Sequence, residues 1–330
     1  MKKIIPFLLV LFSLTACSTT AETTESSLDF FAMDTYMSLS VVAVNSDEVI
    51  SEAFDIVTEI ENAISRTNTE SDMYKLNNSD GEIVEVSDIT YEILIIALEC
   101  AEKTDGIFDP TICAVTDLWD IGTADARVPS DEEITTALQT VSYENIVLLD
   151  NNQVQLLNGA QIDLGAVGKG YAADKIVEIY EVNDAIRGVI SLSGNIYVYG
   201  EKEDESLWNI GITDPDDTSE INITLQTGQN SVVTTGAYER FFEEDGEVYH
   251  HIFNSSTGYP TDEDIKSVTV VSENSTLADI YATALFAMGY QEAVAFAESE
   301  ESIDVVIIRD DNTVYVSYNL NITLGEKYEN

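Results

Sequence analysis

Hydrophobic spacing changes along the chain, and each change predicts an element. Residues 37–44 form a β-branched, strand-like run, and the period shifts after Asn45-Ser46. Ile50, Ala53, Phe54, Val57, Ile60 and Ile64 then recur at steps of three and four, the mark of one buried helix face. A second helix is predicted over residues 87–103. Its stripe of Ile93, Ile96, Ala97 and Cys100 makes Cys100 a core thiol. Residues 146–149 and 154–157 flank a polar turn and predict a hairpin; Asn158-Gly159 then turns into a strand at 161–164. Further strands are predicted at 188–193, 221–225, 266–271, 305–309 and 313–318, and helices near 172–180, 277–288 and 291–297. Clustered hairpins with few βαβ alternations predict an α+β fold of mainly antiparallel sheets flanked by helices.

Charge narrows the function. The 330 residues carry 61 Asp and Glu against 14 Lys and Arg, a net charge of −47. No broad surface of that protein neutralises a phosphate backbone, which excludes a typical nucleic-acid binder. With 45% hydrophobic residues the chain nonetheless has ample apolar surface to bury. Two histidines exclude a multi-histidine zinc site, and three cysteines are too few for a disulfide framework.

The N-terminus reads as an address rather than as fold. Lys2 and Lys3 precede an apolar run too short to span a bilayer, and Leu14-Thr15-Ala16-Cys17 follows. This ending resembles the lipobox of bacterial lipoproteins, which implies acylation of Cys17; an ordinary signal peptide cleaved nearby is the alternative. The expected organisation is a signal peptide over 1–16, a lipidated Cys17 with a flexible tether over 17–28, and one catalytic domain over 29–330.

Four segments carry candidate chemistry. In Asp163-Leu164-Gly165-Ala166-Val167-Gly168-Lys169-Gly170-Tyr171, glycines open a helix directly after a strand. Such a turn is either a phosphate cradle of free N–H groups with a lysine charge, or a plain tight turn. Asp279 and Thr283 are spaced i, i+4 on a predicted helix face. One carboxylate and one hydroxyl make a sparse oxygen site suited to Mg²⁺ sharing a phosphate ligand, although Asp279 alone also complements a helix dipole. His250-His251 sit on a strand ending in a Gly/Pro turn, so they point to opposite faces. One of them is then a candidate general base, or both are ordinary strand histidines. Thr104-Asp105-Gly106-Ile107-Phe108-Asp109-Pro110, with Asp117-Leu118-Trp119 shortly after, either walls a flat ring or fills core.

In order, the chain contains M-D-T-Y, T-D-G-I-F-D-P-T, D-L-W, D-L-G-A-V-G-K-G-Y-A, S-G-N-I-Y, T-T-G-A-Y-E-R-F-F, Y-H-H-I-F-N-S-S-T-G-Y-P and L-A-D-I-Y-A-T-A-L-F. This combination, from about Phe31 to Gly289, resembles the ApbE family of FAD:protein FMN transferases. The resemblance implies an extracytoplasmic, Mg²⁺-dependent, lipid-anchored enzyme. Such an enzyme splits FAD, joins FMN through a phosphoester to a Thr or Ser of a target flavoprotein, and releases AMP. It implies partners among extracytoplasmic flavoproteins with FMN-binding domains, such as subunits of membrane redox complexes. Carried over by motif, Asp163 and Lys169 contact FAD. The Ala166 carbonyl, Asp279 and Thr283 hold the metal, and His251 lies at FAD as the base. Met33 and Gly106-Ile107-Phe108 line the flavin and adenosine pocket. The chain departs from the family pattern at Thr67, Ser193, Ser255 and Ala282. An FAD pyrophosphatase with water as acceptor, and a flavin-binding lipoprotein without chemistry, remain the alternatives.

Overall fold

The computed structural model describes residues 22–261 and 264–328; Cys17 and the expected signal peptide lie outside them. Eight strands form the main sheet in the order Thr24–Ala32, Thr35–Ala43, Arg187–Ser191, Asn195–Gly200, Asn230–Gly236, Ile265–Ser272, Asp304–Arg309 and Val314–Val316. Every neighbouring pair is antiparallel. The helices Ser46–Ile64, Gly168–Val182, Ser275–Met288 and Tyr290–Ser299 cover one face. A smaller sheet of Asn321–Leu324, Asp217–Thr227 and Trp208–Asp214 covers part of the other. The observed architecture is the expected α+β fold with antiparallel sheets and flanking helices.

Burial on both faces explains the uninterrupted apolar run near the C-terminus. Successive side chains of a strand point to opposite faces. Val305 and Ile307 therefore join the helix-side core, while Val306 and Ile308 join the cluster beneath the small sheet. Cys100 is 1% exposed, a core thiol as expected, and desolvation pushes its pKa up to about 11.

Two expectations need correction. The tether does not run to residue 28, because Thr24–Ala32 is a full edge strand paired from Thr24↔Ala43 to Ala32↔Thr35. Its Thr24 and Ser26 hydroxyls bond Ser46 Oγ at 2.8 Å, and its Leu28 and Phe30 pack on the core. The strand expected at 161–164 is a single parallel bridge, Ile112↔Gln161, because the chain turns at once into the glycine loop.

One contact sets the position of everything described below. Gly170, in the first turn of Gly168–Val182, lies against the start of Ser275–Met288. A Cβ there would stand 2.4 Å from the Ser275 carbonyl oxygen and 2.8 Å from both Thr276 Cα and Asp279 Cβ. The same two helices are pinned by Asp174, whose Oδ1 accepts from Ser275 N (2.8 Å) and Oδ2 from Thr276 N (2.8 Å). Gly170→Ala must separate the helices, since backbone and a buried Cβ block the new methyl. It is expected to lower stability by about 1–3 kcal/mol, the usual cost of overpacking. Urea unfolding measures this, and a loss under ~0.5 kcal/mol, the size of an inconsequential surface change, would contradict so tight a crossing.

Candidate active site

The glycine loop is shaped by side chains around it. Asp163 donates its N–H to the Pro110 carbonyl (2.8 Å). Its Oδ1 accepts from Gly165 N (2.8 Å), and its Oδ2 from Arg66 Nη1 (2.5 Å) and Thr116 Oγ1 (3.4 Å). Arg66 also pairs with Asp117. Asp163 therefore holds the loop, and Arg66 holds Asp163. Gly168 admits the Ile64 side chain, whose Cδ1 lies 2.5 Å from the point where a Cβ would stand, and Met33 Sδ lies 3.9 Å from that point. Met33 and Asp34 form the two-residue turn between the first strands, with φ of 48° and 57°. That conformation suits Gly or Asn far better than Met. It is held by the Met33 N–H, which donates to Glu61 Oε1 at 2.7 Å.

At the start of Gly168–Val182 a side chain takes a backbone N–H. Gly170 is the third residue of the helix, so its N–H has no acceptor within it. It donates to Asp279 Oδ2 at 2.8 Å. Among the described residues the Ala166 carbonyl, Asp279 Oδ1 and Thr283 Oγ1 are left with no hydrogen-bond partner. Asp279 is 4% exposed, and Thr283 follows it one turn later on the same face. Asp279 reaches this helix start through Gly170 N, and Thr283 shares the Asp279 face of its own helix. No group of three or more His, Cys, Asp or Glu that could hold a metal occurs among the described residues. The oxygen set is sparse in carboxylates, as a shared Mg²⁺ site is. The residue before the helix, Val167, makes no side-chain cap and the first turn carries no acidic residue, so the Asp279 carboxylate on Gly170 N is the anionic group that complements this helix start.

The two histidines divide as the strand period predicts. His250 ends the strand Glu247–His250 and is buried against Phe286, with ring centroids 5.5 Å apart. Its Nε2 lies 2.8 Å from the Thr261 carbonyl, and its Nδ1 accepts from Ile252 N at 3.2 Å. Both ring nitrogens are committed to backbone. His251 is half-buried. Its backbone N (3.1 Å) and its Nδ1 (3.2 Å) both face the Arg240 carbonyl. A carbonyl only accepts, so Nδ1 carries the proton and Nε2 keeps its lone pair. Desolvation, with Arg240, His250 and Lys169 nearby, lowers the His251 pKa to about 4, against the hydrogen bond to the Arg240 carbonyl. The imidazole is neutral at physiological pH, as a general base requires.

Two further segments frame these groups. Gly106 (φ 77°) ends the helix Asp88–Lys103, and its carbonyl accepts from Ser255 Oγ at 2.7 Å, joining this turn to the histidine loop. Ile107 is half-buried, and Phe108, 6% exposed, belongs to the core. Trp119 is fully buried among Phe242, Tyr249, Phe253 and Tyr259, and its Nε1 donates to the Gly258 carbonyl at 2.9 Å. It is core and supports the hairpin that carries His250. On the remaining side the Glu239 carboxylate reaches over the Ser193-Gly194 turn, 3.3 Å from the point where a Gly194 Cβ would stand, and senses both Lys169 and Asp279.

The structure thus brings Lys169, Asp279 and His251 into one electrostatic neighbourhood and sets Met33 beside Gly168. Asp163 stands one step back, bonded to Arg66. Sequence reasoning did not single out Arg66, Glu61, Asp174, Glu239 or Arg240. For Glu239 and Arg240 the signal was their place inside T-T-G-A-Y-E-R; the others contact the loop from distant, unremarkable positions.

Comparison with known proteins identifies the family. The ApbE family model matches residues 33–307, which includes all the site residues just described. A protein of Treponema pallidum named FAD:protein FMN transferase is 35% identical over 285 residues, covering 81% of this chain and 79% of its own. A Klebsiella pneumoniae protein of the same name is 30% identical over 277 residues, covering 83% and 86%. The crystal structure of the ApbE protein of Thermotoga maritima superposes with a TM-score of 0.83 at 32% identity, over 89% of this chain and 97% of that one. The flavinyl transferase ApbE of Pseudomonas stutzeri shares the fold, with a TM-score of 0.79 at 22% identity over 92% and 96% of the two chains. With its loop, helix crossing and histidine strand all inside the matched span, the chain belongs to the ApbE family.

Proposed function

We propose that this protein cleaves FAD at its pyrophosphate and transfers FMN through a phosphoester to a Thr or Ser hydroxyl of a target flavoprotein, releasing AMP. The observation that carries this reading is the neutral His251, with its Nε2 lone pair free, in the same neighbourhood as Lys169. The Lys169 ammonium receives the pyrophosphate. His251 Nε2 takes the proton of the incoming hydroxyl as its oxygen bonds to the FMN phosphorus. The bond from that phosphorus to the AMP oxygen breaks, and AMP leaves with the electron pair. The Arg240 carbonyl keeps the ring oriented throughout.

These oxygens fit Mg²⁺ in kind, because the Ala166 carbonyl, Asp279 Oδ1 and Thr283 Oγ1 have no hydrogen-bond partner among the described residues. Those three groups would hold the ion, which when bound neutralises pyrophosphate charge and stabilises the departing phosphate. In this proposal Met33 and Gly106-Ile107-Phe108 border the flavin and adenosine pocket, and Asp163 contacts FAD while it braces the loop. The mature chain is lipid-anchored through Cys17 outside the cytoplasmic membrane. There it meets extracytoplasmic acceptors with FMN-binding domains.

Three outcomes test the reading. EDTA is expected to abolish AMP release from FAD, and Mg²⁺ to restore it. Asp279→Ala is expected to lose turnover by at least ~100-fold, the usual scale for removing a group that stabilises transition-state charge, while far-UV circular dichroism stays unchanged. Full activity of that variant removes the metal assignment.

His251 gives a pH signature. Folding lowers its pKa from 6.5 to about 4, so between those values the unfolded chain holds a proton that the folded chain does not. Its contribution to stability is present above pH 6.5 and is lost as pH falls towards 4. Urea unfolding between pH 4 and 7 should show this slope, reduced in His251→Ala. The acid limb of kcat/KM should lie well below pH 6.5, and His251→Ala should lose transfer with little loss of FAD binding. An acid limb near pH 6.5 would mean a solvated histidine.

The third outcome separates transferase from hydrolase. A tethered hydroxyl gains the advantage of positioning over free water, which can reach several kcal/mol. Adding an acceptor domain should therefore speed AMP release, and the acceptor should keep flavin fluorescence in a denaturing gel. Fast AMP release without any acceptor, and no flavin retained, would assign an FAD pyrophosphatase instead.

A further inference from the structure

In a chain this acidic an unpaired cation is conspicuous. Eight of the described lysines and arginines have a carboxylate oxygen within 4 Å. Lys75 and Lys202 instead donate to the carbonyls of Glu70 (2.6 Å) and Leu207 (3.0 Å). Among the described residues only Lys169 and Arg240 have side chains with neither kind of partner. With 61 acidic side chains available, leaving both unpaired at the same place is not the bland outcome.

Both cations act on His251, and both lower its proton affinity. Lys169 has a role in the proposed function; the Arg240 side chain has none. Its backbone carbonyl is fixed by the two bonds from His251, so the residue is anchored at its main chain. Its exposed side chain runs past the Gly122 turn, with Cδ 3.8 Å from the point where a Gly122 Cβ would stand. The guanidinium thus makes no hydrogen bond and no ion pair within 4 Å, although the Glu239 carboxylate is near enough to feel its charge, and it belongs to the residue that orients the base.

We infer that the Arg240 guanidinium binds the non-bridging oxygens of the phosphoryl group that His251 helps to attack, as a second cation beside Lys169. This rests on the flavin-transfer reading and deepens it. A base that accepts the acceptor's proton must stand next to the attacked phosphorus, and Arg240 shares that position through its own carbonyl. Phosphoryl transfer spreads charge over the equatorial oxygens, and a planar guanidinium can meet two of them at once. An ammonium offers only a point charge. The backbone carbonyl survives any substitution at 240, so the base keeps its tautomer while the cation is removed.

The test uses the full chain with FAD and Mg²⁺, reading AMP release with and without an acceptor domain. Arg240→Gln is expected to lower kcat by about 100-fold, the usual loss for one transition-state charge partner. Its thermal midpoint should stay unchanged. Arg240→Lys should recover part of the loss, and added guanidinium ion should partly restore Arg240→Gly. Affinity for inorganic pyrophosphate should fall in the Gln variant, while riboflavin affinity stays the same. Wild-type-like kcat in Arg240→Gln overturns the inference, as does a loss with lowered midpoint and no guanidinium rescue, which marks a structural role. Failure of the flavin-transfer reading is read separately: the wild-type chain would then release no AMP from FAD.

Discussion

The fold depends on how closely two helices cross. Gly170 lets the start of Gly168–Val182 lie on the start of Ser275–Met288, and its N–H donates to Asp279. Three consequences follow from that one bond. Asp279 is fixed although it is almost wholly buried, since an unpaired carboxylate there would be costly. The first turn gains an acceptor for an N–H that the helix itself cannot satisfy. The glycine loop is also held at the height of the second helix. A larger residue at 170 would act on all three at once, because packed backbone does not yield as a flexible side chain does.

The second half of the site comes from a small ribbon whose stability has a separate source. The strands Phe241–Glu244 and Glu247–His250 form no part of the main sheet. Phe242 and Tyr249 stack at 5.3 Å and rest on Trp119, which also takes the Gly258 carbonyl. This aromatic cluster secures the ribbon from one side. Buried His250 then secures its end, through Thr261 and Phe286. Adjacent histidines thus serve opposite ends. One spends both ring nitrogens on the fold, and the next keeps a lone pair. Ser255 ties the following loop to Gly106, so the base and the Gly106 turn move as one unit.

Much of this was legible in the sequence, and the limits have physical causes. The period of three and four from Ile50 to Ile64 appears as Ser46–Ile64, and the stripe through Cys100 as Asp88–Lys103. Such helices announce themselves because one face is buried. The opposite facing of His250 and His251 followed from strand geometry alone. Thr24–Ala32 was hidden because an edge strand can be polar on its outer side, and Thr24-Glu25-Ser26-Ser27 reads as linker. Val305 and Val306 look alike in sequence yet enter different cores. The partners Arg66, Asp174 and Glu61 lie far along the chain from what they hold, so no local spacing could announce them. Trp119 illustrates the reverse case. A tryptophan beside a turn can wall a ligand but more often fills a core, and its burial decides for the core.

Electrostatics explains how so acidic a protein can hold an anionic substrate. Exposed charges more than about 8–10 Å away are largely screened at physiological salt, so the net charge weighs little at the site itself. What matters is the balance within a few ångströms. Most cations of the chain are already committed to carboxylates or carbonyls elsewhere, which quiets the surface. At the site two carboxylates are already bonded, at least in part. Asp163 is bonded to Arg66 and Gly165, and one oxygen of Asp279 is bonded to Gly170. The ammonium of Lys169 remains unspent, and partial desolvation strengthens its field. Desolvation also keeps His251 neutral, and the nearby Arg240 and Lys169 charges act in the same direction. The arrangement that attracts the phosphate is therefore also the one that holds the base in its reactive form.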